Sequence, residues 1–225
     1  PMSHPMPPLD EPTRWAAIRH GVLAGLALVA LLLPPGTPVP ASAAQRMAPP
    51  AVTPQRLAEL GDAQASSDVR LMANWIANSG DHAAMPFVLI DKRAARLYVF
   101  DAQARLLDHT AVLLGSAQGD DSVPGIGDKP IADVLPEERT TPAGRFAGQR
   151  GLNIDGEDVV WVDYNAAVSM HRVRAHNPRE RRLQRLATET ADDNRISYGC
   201  INIPAPFFDA HIAPTFAAQR ATVYV

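Results

Sequence analysis

One cysteine occurs in the 225 residues, Cys200, inside the run Ile196-Ser197-Tyr198-Gly199-Cys200-Ile201-Asn202. A single thiol has no partner for an intramolecular disulfide, so it is a link to another chain, an inert buried side chain or a nucleophile. Its neighbours favour the nucleophile. Ser197 and Gly199 are small and allow close backbone approach, and Pro204 and Pro206 end the extended stretch within a few residues. This pattern predicts a thiol at a strand end beside a cleft. A thiolate there would attack a carbonyl, and the oxyanion formed needs fixed donors. The nearest are the backbone N–H groups of Tyr198, Gly199 and Cys200, while Ser197 and Asn202 are placed to support the loop by hydrogen bonds.

Other chemistries find less support. The run Gly125-Ile126-Gly127-Asp128-Lys129-Pro130 lacks the Gly-Lys-Ser/Thr end of a phosphate-binding loop, because a proline follows the lysine. It reads as part of a long polar loop, either the wall of a cleft or a plain surface loop. Asp120 and Asp121 form an acidic pair with no histidine close in sequence, so no metal is expected. A net charge of -3 gives no reason to expect nucleic acid.

The elements that must position the thiol are mostly strands. Phe87 to Asp91 and Arg96 to Asp101 are β-rich runs joined by Lys92-Arg93-Ala94-Ala95, a predicted hairpin. A third run covers residues 106–114 and ends at Gly115. Residues 159–162 and 167–171 read as two more strands about an Asp163-Tyr164-Asn165 turn, and 222–225 closes the chain; only 206–216 invites a short helix after the cysteine. Short strands separated by turn signals predict a mainly β domain with a few helices, a β-sandwich or barrel-like sheet over 86–225. Before it, residues 55–78 read as a helical arm in two pieces, with Leu57 and Leu60 in the first and Val69, Met72 and Ile76 in the second. Ser66 or Ser67 would cap the second piece and Gly80 end it.

Residues 1–43 differ in kind. Arg14 and Arg19 precede an apolar run at 21–33, Pro34-Pro35-Gly36 breaks it, and Ala41-Ser42-Ala43 follows. This is the layout of a secretory signal, with cleavage expected after Ala43 and a periplasmic mature chain. The alternative is retention as an inner-membrane anchor, although the run is shorter than the roughly 20 residues of a spanning helix. The 44–85 stretch is then linker and arm, and the 21 prolines, concentrated near the N-terminus, flank the apolar run.

Thr140-Thr141-Pro142-Ala143-Gly144-Arg145-Phe146, then Met170-His171-Arg172, then the cysteine run follow in an order that resembles the L,D-transpeptidase catalytic-domain (YkuD-like) family. That family has a Thr-Pro-x-Gly-x-Phe segment entering a strand, a histidine on a later strand and Ser/Thr-His-Gly-Cys-x-Asn/Arg. The resemblance implies that His171 is the base for Cys200 and that the backbone carbonyl of Arg172 orients its ring. It implies peptidoglycan stem peptides as partners, with Cys200 forming a thioester, terminal D-alanine leaving and a second stem resolving the thioester into a 3-3 cross-link. No metal or soluble cofactor is implied. With water as acceptor the same site is an L,D-carboxypeptidase, and a third reading is a catalytically impaired cell-wall-binding relative. The other histidines, His82, His109, His176 and His211 among them, are expected to be structural or solvated.

Two departures from the motif stand out. Tyr198 replaces the histidine before Gly-Cys, and a phenol can donate a hydrogen bond but cannot become a cation. Cys200 lies 29 positions after His171, longer than the family interval, with the excess at 175–194. Asn177, Pro178 and Glu180 read as the start of an inserted helix that hangs over the cleft as a lid. On it Arg179, Arg181, Arg182 and Arg185 would either offer guanidinium groups to stem carboxylates or form a solvated helix face.

Overall fold

A computed structural model of the chain describes residues 55–217 and 220–225. The expected export signal at 1–43 and the first part of the linker lie outside the described residues. From Phe87 onward the β-branched and aromatic runs form strands, as their composition dictates. β1 (Phe87–Asp91) and β2 (Arg96–Phe100) pair as the expected hairpin. Asp91 closes its turn, Oδ1 accepting from the N–H groups of Arg93 and Ala94 at 2.9 Å each. There follow β3 (Leu106–Ala111), β4 (Leu114–Gly115), β5 (Arg145–Leu152), β6 (Asp158–Asp163), β7 (Val168–Arg172), β8 (Arg195–Ser197), β9 (Ile201–Ile203) and β10 (Ala221–Tyr224).

Eight strands form one sheet in the order β3-β2-β1-β10-β5-β6-β7-β9, and β4 and β8 form a separate pair. The two ends of the large sheet meet. Just past β3, Leu113 donates to the Asn202 carbonyl at 3.0 Å and accepts from the Asn202 N–H at 2.9 Å. The sheet is therefore nearly closed, which resolves sandwich against barrel in favour of the barrel. Inside it pack Val88, Ile90, Leu97, Val99, Met170 and Ile201, each at most 3% exposed.

β1 is buried along its whole length, which its unbroken apolar run requires. Val88 and Ile90 face the barrel interior, and Phe87 and Leu89 face outward into a second core beneath α1 (Ser67–Ser79). There Phe87 stacks on Phe100 at 4.6 Å and meets Tyr224 edge-on at 5.9 Å. The helix begins where Ser66 Oγ accepts from the Val69 N–H at 3.2 Å, and the same hydroxyl donates to Asp91 Oδ2 at 2.7 Å. It ends at Gly80, whose φ of 70° is the left-handed conformation of a helix stop. Each fully buried α1 side chain of the size of Ile76 adds about 2 kcal/mol.

The first piece of the arm and the inserted segment depart from expectation, as does the 106–114 run, which divides into β3 and a β4 that pairs elsewhere. The first piece of the arm is extended, with Glu59 bonding to the Ala104 carbonyl at 3.0 Å and the Leu106 N–H at 2.8 Å. Gly61, at φ 55°, ends so short a segment before a helix can nucleate. The strand β5 has little intrinsic propensity; it forms because β10 and β6 both pair with it. Its Gly148 is obligatory, since a Cβ there would lie 2.4 Å from the Phe216 ring. The inserted segment is not one helix but a 3-10 turn (Pro178–Glu180) and α2 (Arg182–Ala187), broken by Arg181 at φ 51°. The expected cap is present in the turn, Asn177 Oδ1 accepting from the Arg179 N–H at 3.1 Å. Two helical turns, α3 (Ala205–Phe207) and α4 (Ala213–Thr215), are joined by a π-turn that sends Phe208 and Ile212 into the inner core.

Candidate active site

The strands β7 and β9 run parallel with Met170 opposite Ile201 and His171 opposite Asn202. A parallel pair cannot be joined by a tight turn and needs a crossover of a dozen or more residues. The 175–194 segment therefore lies within the connection that this pairing demands. Met170 and Ile201 point into the core, so strand alternation turns Ser169, His171, Cys200 and Asn202 to the opposite face. There a cleft of about 590 Å³ is lined by His171, Cys200, Asn202, Ser197 and Tyr198 on one side and by Glu180, Arg182 and His176 on the other. Ile131, from the long polar loop, completes one wall.

His171 Nδ1 lies 2.8 Å from the Arg172 carbonyl oxygen. A carbonyl only accepts, so the proton of the neutral ring is on Nδ1 and Nε2 carries the free lone pair. Burial pushes the imidazole below its ordinary 6.5; the Arg172 carbonyl bond opposes that, Arg174 and Arg182 add to it, and Glu157 opposes it. The ring is thus a neutral acceptor at neutral pH. Half-buried Cys200 donates from Sγ to the Ala167 carbonyl at 3.5 Å and lies 3.7 Å from Ser169 Oγ. Thiol and imidazole share the cleft and the strand face, but the thiol is turned to Ala167 and no hydrogen bond joins it to the ring.

The loop before the thiol is rigid for identifiable reasons. Gly199 has φ 127°, and a Cβ on it would lie 2.8 Å from the Thr140 carbonyl oxygen. Thr141, fully buried, donates from Oγ1 to the Gly199 carbonyl and accepts from the Gly115 N–H, both at 2.8 Å. The Thr-Pro segment thereby braces the cysteine loop across the fold. Ser197 Oγ donates to the Cys200 carbonyl at 2.6 Å and accepts from the Gly199 N–H at 3.1 Å, while Asn202 Nδ2 donates to the same carbonyl at 3.2 Å. Because the Gly199 N–H is committed to Ser197, it drops out of the three expected oxyanion donors. Tyr198 and Cys200 remain; among the described residues no hydrogen bond engages their N–H groups. Tyr198, 41% exposed, lies under the Arg139 guanidinium at 4.0 Å, a cation–π contact.

Of the four arginines expected over the cleft, only Arg182 lines it. Arg181 and Arg185 line a separate hollow beside Asp193, where Arg185 bonds to the carbonyls of Glu180 and Asp193. The cleft's other guanidinium belongs to Arg174, paired with Glu157, and sequence pattern gave no sign of it. His176, expected to be structural or solvated, is on the cleft wall. Ser169 was legible in principle as the position two before His171 on one strand face. The Arg172 side chain points elsewhere, to Asp209 at 2.5 Å and over the Phe208 ring. Asp120 is bound to Lys92 at 2.7 Å, and the described residues contain no cluster of His, Cys, Asp or Glu suited to a metal.

No protein-family model matches the sequence, and no curated protein matches it. Among solved structures, the chain is similar to the NMR structure of the catalytic domain from E. faecium L,D-transpeptidase, at 16% identity and a TM-score of 0.33, covering 62% of this chain and 95% of that one.

Proposed function

We propose that the chain is a cysteine-dependent acyltransferase of the L,D-transpeptidase kind, acting on peptidoglycan stem peptides. The observation that carries the reading is the 2.8 Å contact from His171 Nδ1 to the Arg172 carbonyl, which leaves Nε2 as a base in the cleft of the lone thiol. A rotation about the Cys200 Cα–Cβ bond takes Sγ from the Ala167 carbonyl toward that nitrogen. The thiol proton passes to Nε2, and the thiolate attacks the carbonyl of the third stem residue. The oxyanion is met by the N–H groups of Cys200 and Tyr198. The C–N bond breaks, the imidazolium returns its proton to the departing D-alanine amine, and a thioester remains. An amine of a second stem then attacks the thioester carbonyl, His171 takes its proton, the C–S bond breaks, and the imidazolium returns the proton to Sγ to restore the thiol. Water in the amine's place gives the carboxypeptidase reaction.

A carbapenem, which acylates a nucleophile of this kind, tests the reading by intact mass. A single adduct is expected on the wild type and none on Cys200→Ala; His171→Ala should acylate roughly 100-fold more slowly, the scale of a lost general base. A wild type that stays unmodified leaves the wall-binding reading. We further propose that residues 1–43 direct export to the periplasm. N-terminal sequencing from the native cell should find a start near Ala44, and a retained apolar segment would make the protein membrane-anchored instead.

A further inference from the structure

Four side chains connect the crossover segment to the backbone of the thiol. Arg182, whose side chain is only 13% exposed, donates from Nε to Glu180 Oε2 at 2.5 Å and from one terminal nitrogen to Asn202 Oδ1 at 2.6 Å. Asn202, 1% exposed, donates from Nδ2 to the Cys200 carbonyl, which Ser197 Oγ also holds. The chemistry of the two groups makes this link directional. A guanidinium has donors only, so it can face only the oxygen of the Asn202 amide, and that places the NH₂ on the Cys200 carbonyl. The reverse orientation would set two oxygens against each other there and leave a buried donor facing a cation, at the full cost of unmade bonds.

We infer that Arg182 is a positioning residue that fixes the amide orientation of Asn202 and so sets the peptide of the nucleophile, docking the crossover segment onto the thiol strand. The inference rests on the acyltransferase reading for its effect on rate, but not for its geometry. It also changes the part that the sequence suggested for this arginine. Two of its nitrogens are engaged by Glu180 and Asn202, so a substrate carboxylate is left only the second terminal nitrogen and no free fork. Lysine cannot replace it, because an ammonium on a flexible stem does not hold two acceptors in one plane.

Arg182→Met, Arg182→Lys and Asn202→Asp distinguish the roles. Arg182→Met should slow carbapenem acylation by roughly 100-fold, the scale of a displacement of about an ångström at a reacting group. It should also open 175–194 to limited proteolysis. Its acid limb should move up toward 6.5, because a cation that disfavours imidazolium has gone, while the other charged groups of the cleft, Asp155, Glu157, Arg174, His176 and Glu180, remain. Arg182→Lys should leave the limb in place and recover only part of the rate. Asn202→Asp should keep the segment docked, a carboxylate being a better partner for Arg182, yet lose rate because the Cys200 carbonyl keeps only its Ser197 donor and a carboxylate oxygen replaces the other. Iodoacetamide labelling of Cys200 and proteolysis report on the link even if the wild type is never acylated by carbapenem, so failure of the functional reading is seen separately. Arg182→Met with wild-type labelling rate and wild-type proteolysis would overturn the inference, as would Asn202→Asp with an undiminished labelling or acylation rate.

Discussion

Gly199 shows how little freedom the residue next to the thiol has. Its φ of 127° is closed to side chains, and the Thr140 carbonyl occupies the place of a Cβ. Gly199→Ala should therefore destabilise the fold by roughly 1–3 kcal/mol, read from urea unfolding, and should lose acylation even where folded. His171 sets the acid limit of the proposed reaction. Burial holds it below 6.5, so acylation should persist below that pH and fall only as the neutral ring takes a proton. Glu157→Gln should move the limb lower still, since the carboxylate favours the imidazolium. The same group affects stability with the same sign. Its folded value is depressed, so its contribution is complete above 6.5 and is lost as pH falls through that lower value. For Tyr198, the ring face carries the Arg139 contact, and Tyr198→His should keep acylation within about tenfold, the exchange of one exposed contact of about 1 kcal/mol.

At the scale of elements, the crossover between β7 and β9 is where topology and chemistry meet. Removing residues 183–191 leaves a connection longer than the dozen residues a parallel crossover requires. Far-UV circular dichroism should keep the sheet signal of the wild type, less the short helix deleted, while stem-peptide binding changes; unchanged binding would show that the segment only connects. The α1 cap offers a cleaner energetic test. Ser66→Ala removes the bond to the Val69 N–H and a donor to Asp91, and should cost about 1 kcal/mol in urea unfolding, with acylation unaffected.

For the whole molecule, the tie that matters joins the turn after α1 to the sheet. Asp81 accepts from the Tyr224 hydroxyl at 2.6 Å and from Arg145 Nε at 2.5 Å, linking the arm to β10 and β5. The Tyr224 bond first, and Arg145 second, hold this carboxyl below its ordinary 3.8 against the effect of burial. A depressed carboxylate stabilises the fold above its unfolded value, and that stability disappears as pH falls through the folded one. Asp81→Asn should lower stability at pH 7 by about 1 kcal/mol, discounted for the partial exposure of the pair. Between pH 5 and pH 3 the variant should lose less than the wild type does, as read from urea midpoints; parallel losses would remove Asp81 from the acid response.

The sequence by itself determined what depends on local composition and order. Runs such as Phe87 to Asp91 are strands because β-branched and aromatic side chains suit a pleated surface, and Ser66 and Gly80 bound α1 through bonds made within a few residues of themselves. The thiol and the glycine between Tyr198 and Cys200 could be singled out from their own neighbours, whereas His171 stood out only through the resemblance of the motif order to a known family. Only the tertiary structure decided what depends on pairing across the chain. The strand β5, with two glycines and charged residues, exists because β10 and β6 lie on either side of it. Closure of the sheet depends on Leu113 meeting Asn202, 89 positions away. Thr141 gains its role by meeting Gly199, and Arg182 is separated from Arg179, Arg181 and Arg185 by Arg181 adopting the left-handed conformation and by an acceptor waiting on β9. Propensity acts over a few residues and leaves its mark in sequence. A hydrogen bond between distant segments exists only once the sheet has set its register, and no local pattern encodes that.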